Sequence, residues 1–338
     1  MIADSVHLRL RAEVPLALAL SGGVDSTVIA AEAARLGTPV DAFTVIAEGD
    51  ETDLPYARLT ARRYGLRHEV LRAPGAAAAL RVREAAEHFD EPFADSSALS
   101  SLELARSLAG RYKIILNGDG GDEAFGGYRH YSRIGVKQAV KAAAAGVGFV
   151  DGNGATGVYV ESKVTFRERE RAALLRGATG ALPRLLATDE FLGACPAGGA
   201  LQHALWTDRH LHLANDLTHK MDMALGAYGI EGRSPLLDHR ILEWTQQLPA
   251  ADLVRGGKRK ILLREAYDQE LPKAIFTRPK HGFGSPVGAW LAGPLRGLVR
   301  ELLPCSLLDP KLQLHARGQR LWTLLTFAHW AARWKATW

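Results

Sequence analysis

Residues 21–26, which read Ser-Gly-Gly-Val-Asp-Ser, combine residue types that can bind a phosphate group. They follow five apolar residues, 16–20, that predict a buried strand, and the pattern from Ser26 to a stop at Gly37 predicts a helix. In such a turn, backbone N–H groups converge on an anion, the glycines allow close approach, and the serine hydroxyls add donors. Asp25 would repel a phosphate unless a divalent cation lay between them. The segment therefore predicts a site for Mg²⁺ and a polyphosphate.

Two other phosphate-binding loops are excluded by what this segment lacks. The Gly-Lys-Ser/Thr ending of a Walker A loop is missing, and so is the Gly-x-Gly-x-x-Gly spacing of a dinucleotide site. An ordinary glycine-rich turn with a capping serine is the alternative interpretation for a lone Ser-Gly-Gly.

A second glycine-rich and acidic segment covers residues 117–128, Asn-Gly-Asp-Gly-Gly-Asp-Glu-Ala-Phe-Gly-Gly-Tyr. It directly follows residues 114–116, whose apolar side chains predict a strand. The alternating oxygen ligands of an EF-hand are absent, and a solvated turn is the alternative. If this segment lies beside residues 21–26, one of its acids shares the binding of Mg²⁺ with Asp25.

The intervening elements predict a fold that brings the two segments together. Strands are predicted at 16–20, 40–46, 67–71 and 114–116, and helices before Pro15, after Ser26, at 54–64 with Asp53 as its cap, and at about 98–108. Strands that alternate with helices predict an α/β fold with a doubly wound parallel sheet. Its ligand lies at the carboxyl ends of the strands, where the backbone near Val45 faces the same crevice.

Composition limits the location and the partners of the chain. Its 338 residues suit one large or two modest domains, and its two cysteines lack the spacing of a metal site. Scarce cysteines, together with the lack of a long apolar run or a signal pattern, predict a reduced, cytoplasmic protein with no membrane partner. The net charge of +5 is mild, and no basic block or basic-aromatic patch indicates binding of nucleic acid.

Residues 21–26, placed after an apolar strand, resemble the pyrophosphate loop of the ATP pyrophosphatases, or PP-loop enzymes, which split ATP into AMP and pyrophosphate. With residues 117–128 added, the sequence resembles the synthetase domain of asparagine synthetases and their relatives, including β-lactam synthetase. Three later segments extend the resemblance: 229–239 (Gly-Ile-Glu-Gly-Arg-Ser-Pro-Leu-Leu-Asp-His), 258–264 (Lys-Arg-Lys-Ile-Leu-Leu-Arg) and 278–283 (Arg-Pro-Lys-His-Gly-Phe). The match runs from about residue 5 to the end and is weakest between about 135 and 205.

The resemblance implies a fold, two cofactors and a set of site residues. The fold is an adenine nucleotide α-hydrolase-like α/β domain over residues 1–130, followed by a mostly helical region, 131–338, that completes the active site. The cofactors are ATP and Mg²⁺. Implied to bind ATP are Leu20, Ser21, Gly22, Gly23, Asp25, Ser26, Val45, Asn117 and Gly118; implied to bind Mg²⁺ are Asp25 and Asp122; implied to be catalytic are Lys280, Asp119 and Lys260.

The implied reaction is the adenylation of a small-molecule carboxylate, with loss of pyrophosphate that the two lysines assist by neutralising charge. A nitrogen nucleophile then displaces AMP to give an amide. Asparagine synthetases begin with a glutaminase domain, and this chain begins about where that domain ends. We therefore expect its nitrogen to come from free ammonia, from a separate glutaminase subunit or from an amine. A homodimer is also left open.

Three rival functions share part of the pattern. Asp119 stands where one branch of asparagine synthetases has a glutamate and β-lactam synthetase has a tyrosine, which disfavours intramolecular amide formation. An RNA-modifying PP-loop enzyme shares residues 21–26 but leaves 117–128 and 233–239 unexplained. A non-catalytic ATP-binding relative is disfavoured because Asp25, Asp122 and Lys280 are all present.

Two further groups of polar residues receive less specific predictions. Glu231, Arg233 and Asp238 are expected either to form the floor of the site or to make structural ion pairs. The histidines at positions 203, 210, 212 and 219 lack a His-x-x-x-His spacing, so we do not expect them to bind a metal ion.

Overall fold

A parallel sheet is the central feature of the computed structural model, which describes residues 1–47, 50–73, 75–134, 164–175, 194–195, 198–278, 285–303, 305–309, 313 and 315–336. Its strands lie in the spatial order β3-β2-β1-β4-β5, and all pair in parallel. A short antiparallel hairpin, β6 and β7, lies apart from it. The strands are β1 (Leu16–Ala19), β2 (Asp41–Ala47), β3 (Arg67–Ala73), β4 (Ile114–Leu116), β5 (Glu231–Arg233), β6 (Val254–Arg255) and β7 (Lys258–Arg259).

Helices flank the sheet and form most of the described chain after it. Up to residue 134 they are α1 (Ile2–Arg9), α2 (Val24–Arg35), α3 (Leu54–Tyr64), α4 (Ala78–His88), α5 (Ala98–Leu108) and α6 (Gly121–Phe125). Later helices are α7 (Glu168–Leu174), α8 (Ala200–Thr207), α9 (His219–Gly226), α10 (His239–Gln246), α11 (Ala250–Leu253), α12 (Ile261–Ala266), α13 (Lys273–Thr277), α14 (Val287–Ala292), α15 (Arg296–Leu302) and α16 (Gly318–Trp334). A π-helical segment, Asp208–Thr218, joins α8 to α9.

The predicted fold class, an α/β doubly wound parallel sheet followed by helices, is confirmed. The predicted bounds of α3, α5 and β4 match the structure, whereas α1 is shorter than predicted and α2 begins at Val24 instead of Ser26. β5 is absent from the prediction because Glu-Gly-Arg carries no apolar pattern, and this edge strand is added by backbone pairing to β4. The division at residue 130 stays a prediction.

β1 is buried on both faces, which explains its unbroken apolar sequence. Side chains alternate along a strand, so the leucines and alanines of β1 point to opposite faces. Leu16 and Leu18 pack in a cluster with Val28 of α2, and Ala17 packs with Leu104 of α5 on the other face. The small alanines leave room for α5 close to the sheet.

The strand order reverses between β1 and β4, which places two loops side by side. Leu18 pairs with Leu116, so the chain leaves β1 and β4 at the same edge of the sheet. Ligands of doubly wound sheets bind in the crevice at such a reversal. The fold therefore brings residues 21–26 and 117–122 to one crevice.

Two other sequence expectations concern the membrane and the cysteines. No described helix is long and apolar enough to cross a membrane. Cys195 and Cys305 are not joined to each other by a disulfide.

Candidate active site

The loop after β1 is stabilised by its own serines. Ser21 Oγ lies 3.1 Å from Ser26 Oγ and accepts a hydrogen bond of 3.3 Å from the backbone N–H of Gly23. Gly23 is the N-cap of α2, and no side chain caps this helix. The first N–H groups of a helix lack partners within the helix, so they can bind an anion held by this loop.

Gly22 is required by both its backbone angle and its surroundings. Its φ is +66°, and a Cβ there would collide with the backbone of Tyr56 and Ala57 in α3. Gly37 has a similar φ of +67° but open space around it, which makes it a matched control.

We expect Gly37→Ala to lower the free energy of unfolding by about 1 kcal/mol through backbone strain alone. Gly22→Ala should lower it by about 1 to 3 kcal/mol more, because α3 must shift to admit the methyl group. Urea unfolding of both variants measures the difference. Equal losses would contradict the close packing of this loop on α3.

Three charged side chains meet where the two loops come together. Lys260 Nζ makes an ion pair with Asp25 and lies 2.7 Å from Asp122 Oδ1. The Lys260 side chain is only 8% exposed, and its residue holds an uncommon φ of +55° just after β7. Burial lowers the pKa of Lys260, but the two carboxylates outweigh burial and raise it overall. The Lys260 ammonium group therefore stays charged, and it is the single cation that both carboxylates contact.

Glycines of the second segment make this meeting possible. A Cβ on Gly121 would collide with the carboxylate of Asp25. A Cβ on Gly127 would collide with the Asp122 carboxylate and with the Lys260 side chain. The glycine pattern of residues 117–128 therefore serves the close approach of the two acidic loops.

The two carboxylates fit Mg²⁺ that is bound to a polyphosphate. Mg²⁺ usually takes one or two carboxylates and completes its octahedron with phosphate oxygens and water. The Lys260 ammonium, held by Asp25 and Asp122 together, shows that one cation fits between them. Within the described ranges, no group of three or more His, Cys, Asp or Glu side chains could hold a metal ion. Two carboxylates supply only part of an octahedron, so the pair suits a metal that arrives with phosphate ligands.

Arg278 ties the loop after β1 to α3. Its guanidinium donates to the Ser21 carbonyl at 3.1 Å, pairs with Asp53 at 2.9 Å and lies 5.2 Å from the centre of the Tyr56 ring. Asp53 takes the predicted N-cap position of α3, but its side chain makes no cap hydrogen bond within the described residues, and its carboxylate pairs with Arg278. Lys280 lies outside the described residues.

Asp119 has a buried carboxylate oxygen at the start of the second segment. Asn117 Oδ1 accepts hydrogen bonds from Ser234 Oγ at 2.6 Å and from Asp119 N at 3.1 Å, which fixes the turn. Among the described residues, Asp119 Oδ2 has no hydrogen-bond partner. Burial raises the pKa of Asp119 to about 6. The charge of Asp25 also raises this pKa, whereas the charge of Lys220 lowers it. Its carboxylate can therefore accept a proton near neutral pH.

The family of the chain follows from sequence comparison. The family model for asparagine synthase matches residues 1–332. The chain belongs to the asparagine synthase family. It is 26% identical to asparagine synthetase [glutamine-hydrolyzing] 1 of Bacillus subtilis over 97% of this chain and 58% of that protein. It is 24% identical to amidase chyE of Penicillium rubens over 89% of this chain and 54% of that protein.

A further relative is asparagine synthetase [glutamine-hydrolyzing] 2 of Bacillus subtilis, 29% identical over 84% of this chain and 38% of that protein. The chain spans 58% and 54% of the length of the first two of these relatives and 38% of the third. Membership of the asparagine synthase family confirms the resemblance to its synthetase domain.

For this asparagine synthase family member, the two alternatives left open for residues 231–238 can be compared with the structure. Arg233 Nε lies 2.7 Å from the Glu231 carboxylate, and its Nη1 donates to the carbonyl of Arg9 at 2.9 Å. Asp238 caps α10 by accepting from Arg240 N at 3.0 Å, and its carboxylate also pairs with Arg9. These residues make ion pairs within the fold, and any contact with a substrate stays a prediction.

The outer ATP contacts predicted by the resemblance lie at the same sheet edge. Leu20 is buried at the end of β1, and its N–H donates to the Phe43 carbonyl at 2.8 Å. Val45 lies in the second half of β2. Both positions lie towards the carboxyl ends of their strands, and their contact with ATP stays a prediction.

Arg209 is a site-supporting residue that sequence reasoning missed. It is buried at the start of the π-helical segment and donates to the carbonyls of Glu123 at 3.0 Å and Ala124 at 3.3 Å. It also donates to Thr245 Oγ1 at 3.0 Å. A cation at a helix C-terminus is stabilising, so Arg209 fixes the end of the acidic helix α6. No spacing distinguishes Arg209 from other arginines in the sequence.

Glu123, next to Asp122, belongs to a buried network of its own. Burial raises the pKa of Glu123 to about 7, and the Tyr128 hydroxyl donates to Glu123 Oε1 at 2.5 Å. Tyr131 OH donates at 2.6 Å to Asp208, at the start of the π-helical segment. These contacts join the acidic loop to the helical region that follows it.

Proposed function

We propose that the chain is an ATP-dependent carbon–nitrogen ligase that forms AMP and pyrophosphate. It adenylates a carboxylate of a small molecule and transfers a nitrogen nucleophile to the activated acyl group. The observation that carries this proposal is the meeting of Asp25 and Asp122 around Lys260, at the point where the strand order reverses. Family membership supports the same reaction class.

In the first step, the loop after β1 binds the phosphates through backbone N–H groups and the hydroxyls of Ser21 and Ser26. Asp25 and Asp122 would hold Mg²⁺, which would supply neutralising charge to the phosphates. A carboxylate oxygen attacks the α-phosphorus, and the bond to pyrophosphate breaks. With Mg²⁺ in the place that its ammonium occupies between the two acids, Lys260 is released and joins Lys280 in neutralising the leaving charge. Positioning and electrostatic stabilisation supply most of what this step requires.

In the second step, the lone pair of the nitrogen attacks the acyl carbon. The C–N bond forms, the C–O bond breaks, and AMP leaves with the electron pair. Asp119 takes the proton from nitrogen, a role that its buried oxygen and its pKa of about 6 support.

This role predicts the pH dependence of amide formation. An aspartate base works when ionised, so activity is retained above its pKa and lost as the pH falls. The rate of amide formation from preformed adenylate should therefore fall more steeply below about pH 6. Single-turnover assays between about pH 5 and about pH 8 measure this dependence.

Two controls distinguish the effect of protonating Asp119 on the rate from the effect of protonating the amine. The steepening should stay at the same pH for amines of different pKa and should disappear in Asp119→Asn. A steepening that follows the pKa of the amine, or that persists in Asp119→Asn, would contradict the assigned role.

ATP–pyrophosphate exchange tests the proposed function as a whole. With Mg²⁺ and a panel of carboxylates, exchange should require one acid, and an amide should form only after ammonium or an amine is added. Exchange that needs no carboxylate, or ATP cleavage to ADP, would contradict the proposal. Failure with every small acid despite tight ATP binding would favour a non-catalytic relative or an RNA-modifying enzyme.

The source of nitrogen is part of the same proposal. Relatives named as glutamine-hydrolysing make a separate glutaminase subunit a reasonable partner in the cytoplasm. Free ammonia and an organic amine are the other two sources. An intramolecular amide former is disfavoured because Asp119 stands where β-lactam synthetase has its tyrosine.

A further inference from the structure

A cavity of about 840 Å³ lies beside the candidate active site. Its wall combines the end of α1, the turn at Asn117 and Asp119, β5, and the junction of the π-helical segment with α9. The volume lies within the range of about 300 to 1,000 Å³ that small-molecule sites occupy. Ammonia is about the size of water, for which a cavity of about 10 to 15 Å³ is enough. The cavity is far larger than ammonia requires.

One end of this cavity reaches the reaction centre. Asn117 and Asp119 line this end. Gly118, between them, packs closely on the loop after β1, since a Cβ there would lie 3.0 Å from Asp25 Cβ. A molecule in the cavity that touches Asp119 is therefore next to the phosphates and the activated acyl group.

Two of the cations in the cavity wall are already neutralised. Arg9 pairs with Asp238 at 3.1 Å. Arg233 pairs with Glu231 at 2.7 Å, and its Nη1 donates hydrogen bonds to the backbone carbonyls of Arg9 and Arg11. Neither guanidinium is left to attract an anionic substrate.

Among the described wall residues at the end next to the reaction centre, the charged group without an ion pair is a carboxylate. Asp119 Oδ2 is buried and has no hydrogen-bond partner in the part of the chain that the structure describes. Lys220, the cation that acts on Asp119, donates instead to Asp95 and Ser97, both at 2.8 Å. A second wall carboxylate, Asp222, is exposed.

We propose that this cavity binds the nitrogen donor, and that the donor is an organic amine whose ammonium group binds Asp119. Before attack the ammonium loses one proton to solvent, and Asp119 takes the second proton as the C–N bond forms. The inference rests on the proposed function and makes its product a substituted amide. A carboxylate substrate fits this position poorly, since it would face the buried carboxylate of Asp119. Arg11, at the exposed end of the wall, is screened by solvent and does not balance that charge.

Binding without ATP is the first test. We would titrate the full chain with n-butylammonium, with ammonium and with butyrate, using ligand-observed NMR. Butylammonium should bind more tightly than ammonium, and butyrate should not compete. Asp119→Asn should weaken butylammonium binding by about tenfold or more, as expected for a lost charge-assisted hydrogen bond. Asp90→Asn, an exposed acid outside the cavity wall, is the matched control and should change nothing.

A steric variant tests the cavity independently of charge. Ala214 is an exposed residue of the cavity wall, so Ala214→Leu narrows the cavity without touching the core. It should lower kcat/KM for butylamine about tenfold and leave kcat/KM for ammonium unchanged. Thermal melting checks that the variant folds.

The outcomes separate this inference from the proposed function. Carboxylate-dependent ATP–pyrophosphate exchange with ammonium as the only productive nucleophile would overturn the inference and leave the function standing. Equal binding of ammonium and butylammonium, or competition by butyrate, would also overturn the inference. Butylammonium binding that depends on Asp119, in a chain without any exchange, would support the cavity site and contradict the function.

Discussion

Replacing Asp122 by asparagine should lower Mg²⁺-dependent ATP–pyrophosphate exchange by about 10²- to 10³-fold. The amide has the size of the carboxylate, so packing against Gly127 is kept, and the fold should survive. What is lost is one of the two charges proposed to hold Mg²⁺. Asp90→Asn, an exposed aspartate, is the control and should exchange at the wild-type rate.

The Mg²⁺ requirement of Asp122→Asn is a second measurement that tests whether Asp122 binds the metal. If Asp122 ligates Mg²⁺, the Mg²⁺ concentration that gives half-maximal exchange should rise in Asp122→Asn. Circular dichroism and urea unfolding establish that the variant is folded. A folded Asp122→Asn with wild-type exchange and an unchanged Mg²⁺ requirement would contradict the metal site.

Replacing Lys260 by methionine should lower the free energy of unfolding by about 3 to 5 kcal/mol in the absence of Mg²⁺. The substitution removes a buried ammonium and leaves Asp25 and Asp122 close together without their cation. Two neighbouring carboxylates without compensation repel each other and are costly to bury. Lys258→Met, an exposed lysine two residues earlier, should cost less than about 0.5 kcal/mol.

Mg²⁺ should restore part of the stability of Lys260→Met. With the ammonium gone, the two carboxylates are open to a divalent ion, and binding at ten times Kd adds about 1.4 kcal/mol. Wild type should respond less, because Lys260 already neutralises the pair. Urea unfolding with and without Mg²⁺ measures both effects. An equal Mg²⁺ response in wild type and Lys260→Met would contradict the assignment of one shared cation site.

The sheet could be predicted largely from local sequence because its strands and helices carry strong periodic patterns. β4 is an apolar run that ends at turn residues, and Gly65 ends α3 in the left-handed conformation that glycine favours. β5 could not be predicted, because an exposed Glu-Gly-Arg strand owes its existence to pairing with β4. Edge strands of this kind are set by tertiary context.

Site residues that belong to local motifs could be predicted from the sequence. Contacts between residues far apart in the sequence could not. The segments around Asp25 and Asp122 indicate an anion and metal site on their own, and the fold brings them together. The buried pairing of Lys260 with both acids is a long-range contact that spacing cannot show. The same holds for Arg209 on α6 and for Lys220 with Asp95.

The central claim is that a carboxylate is activated as its adenylate. Oxygen-18 transfer tests it most directly, using the acid identified by exchange with both carboxyl oxygens labelled. If the carboxylate attacks the α-phosphorus and nitrogen then displaces AMP, one labelled oxygen should be found in AMP and the other in the amide. AMP without label, or label in inorganic phosphate alongside ADP, would contradict adenylation.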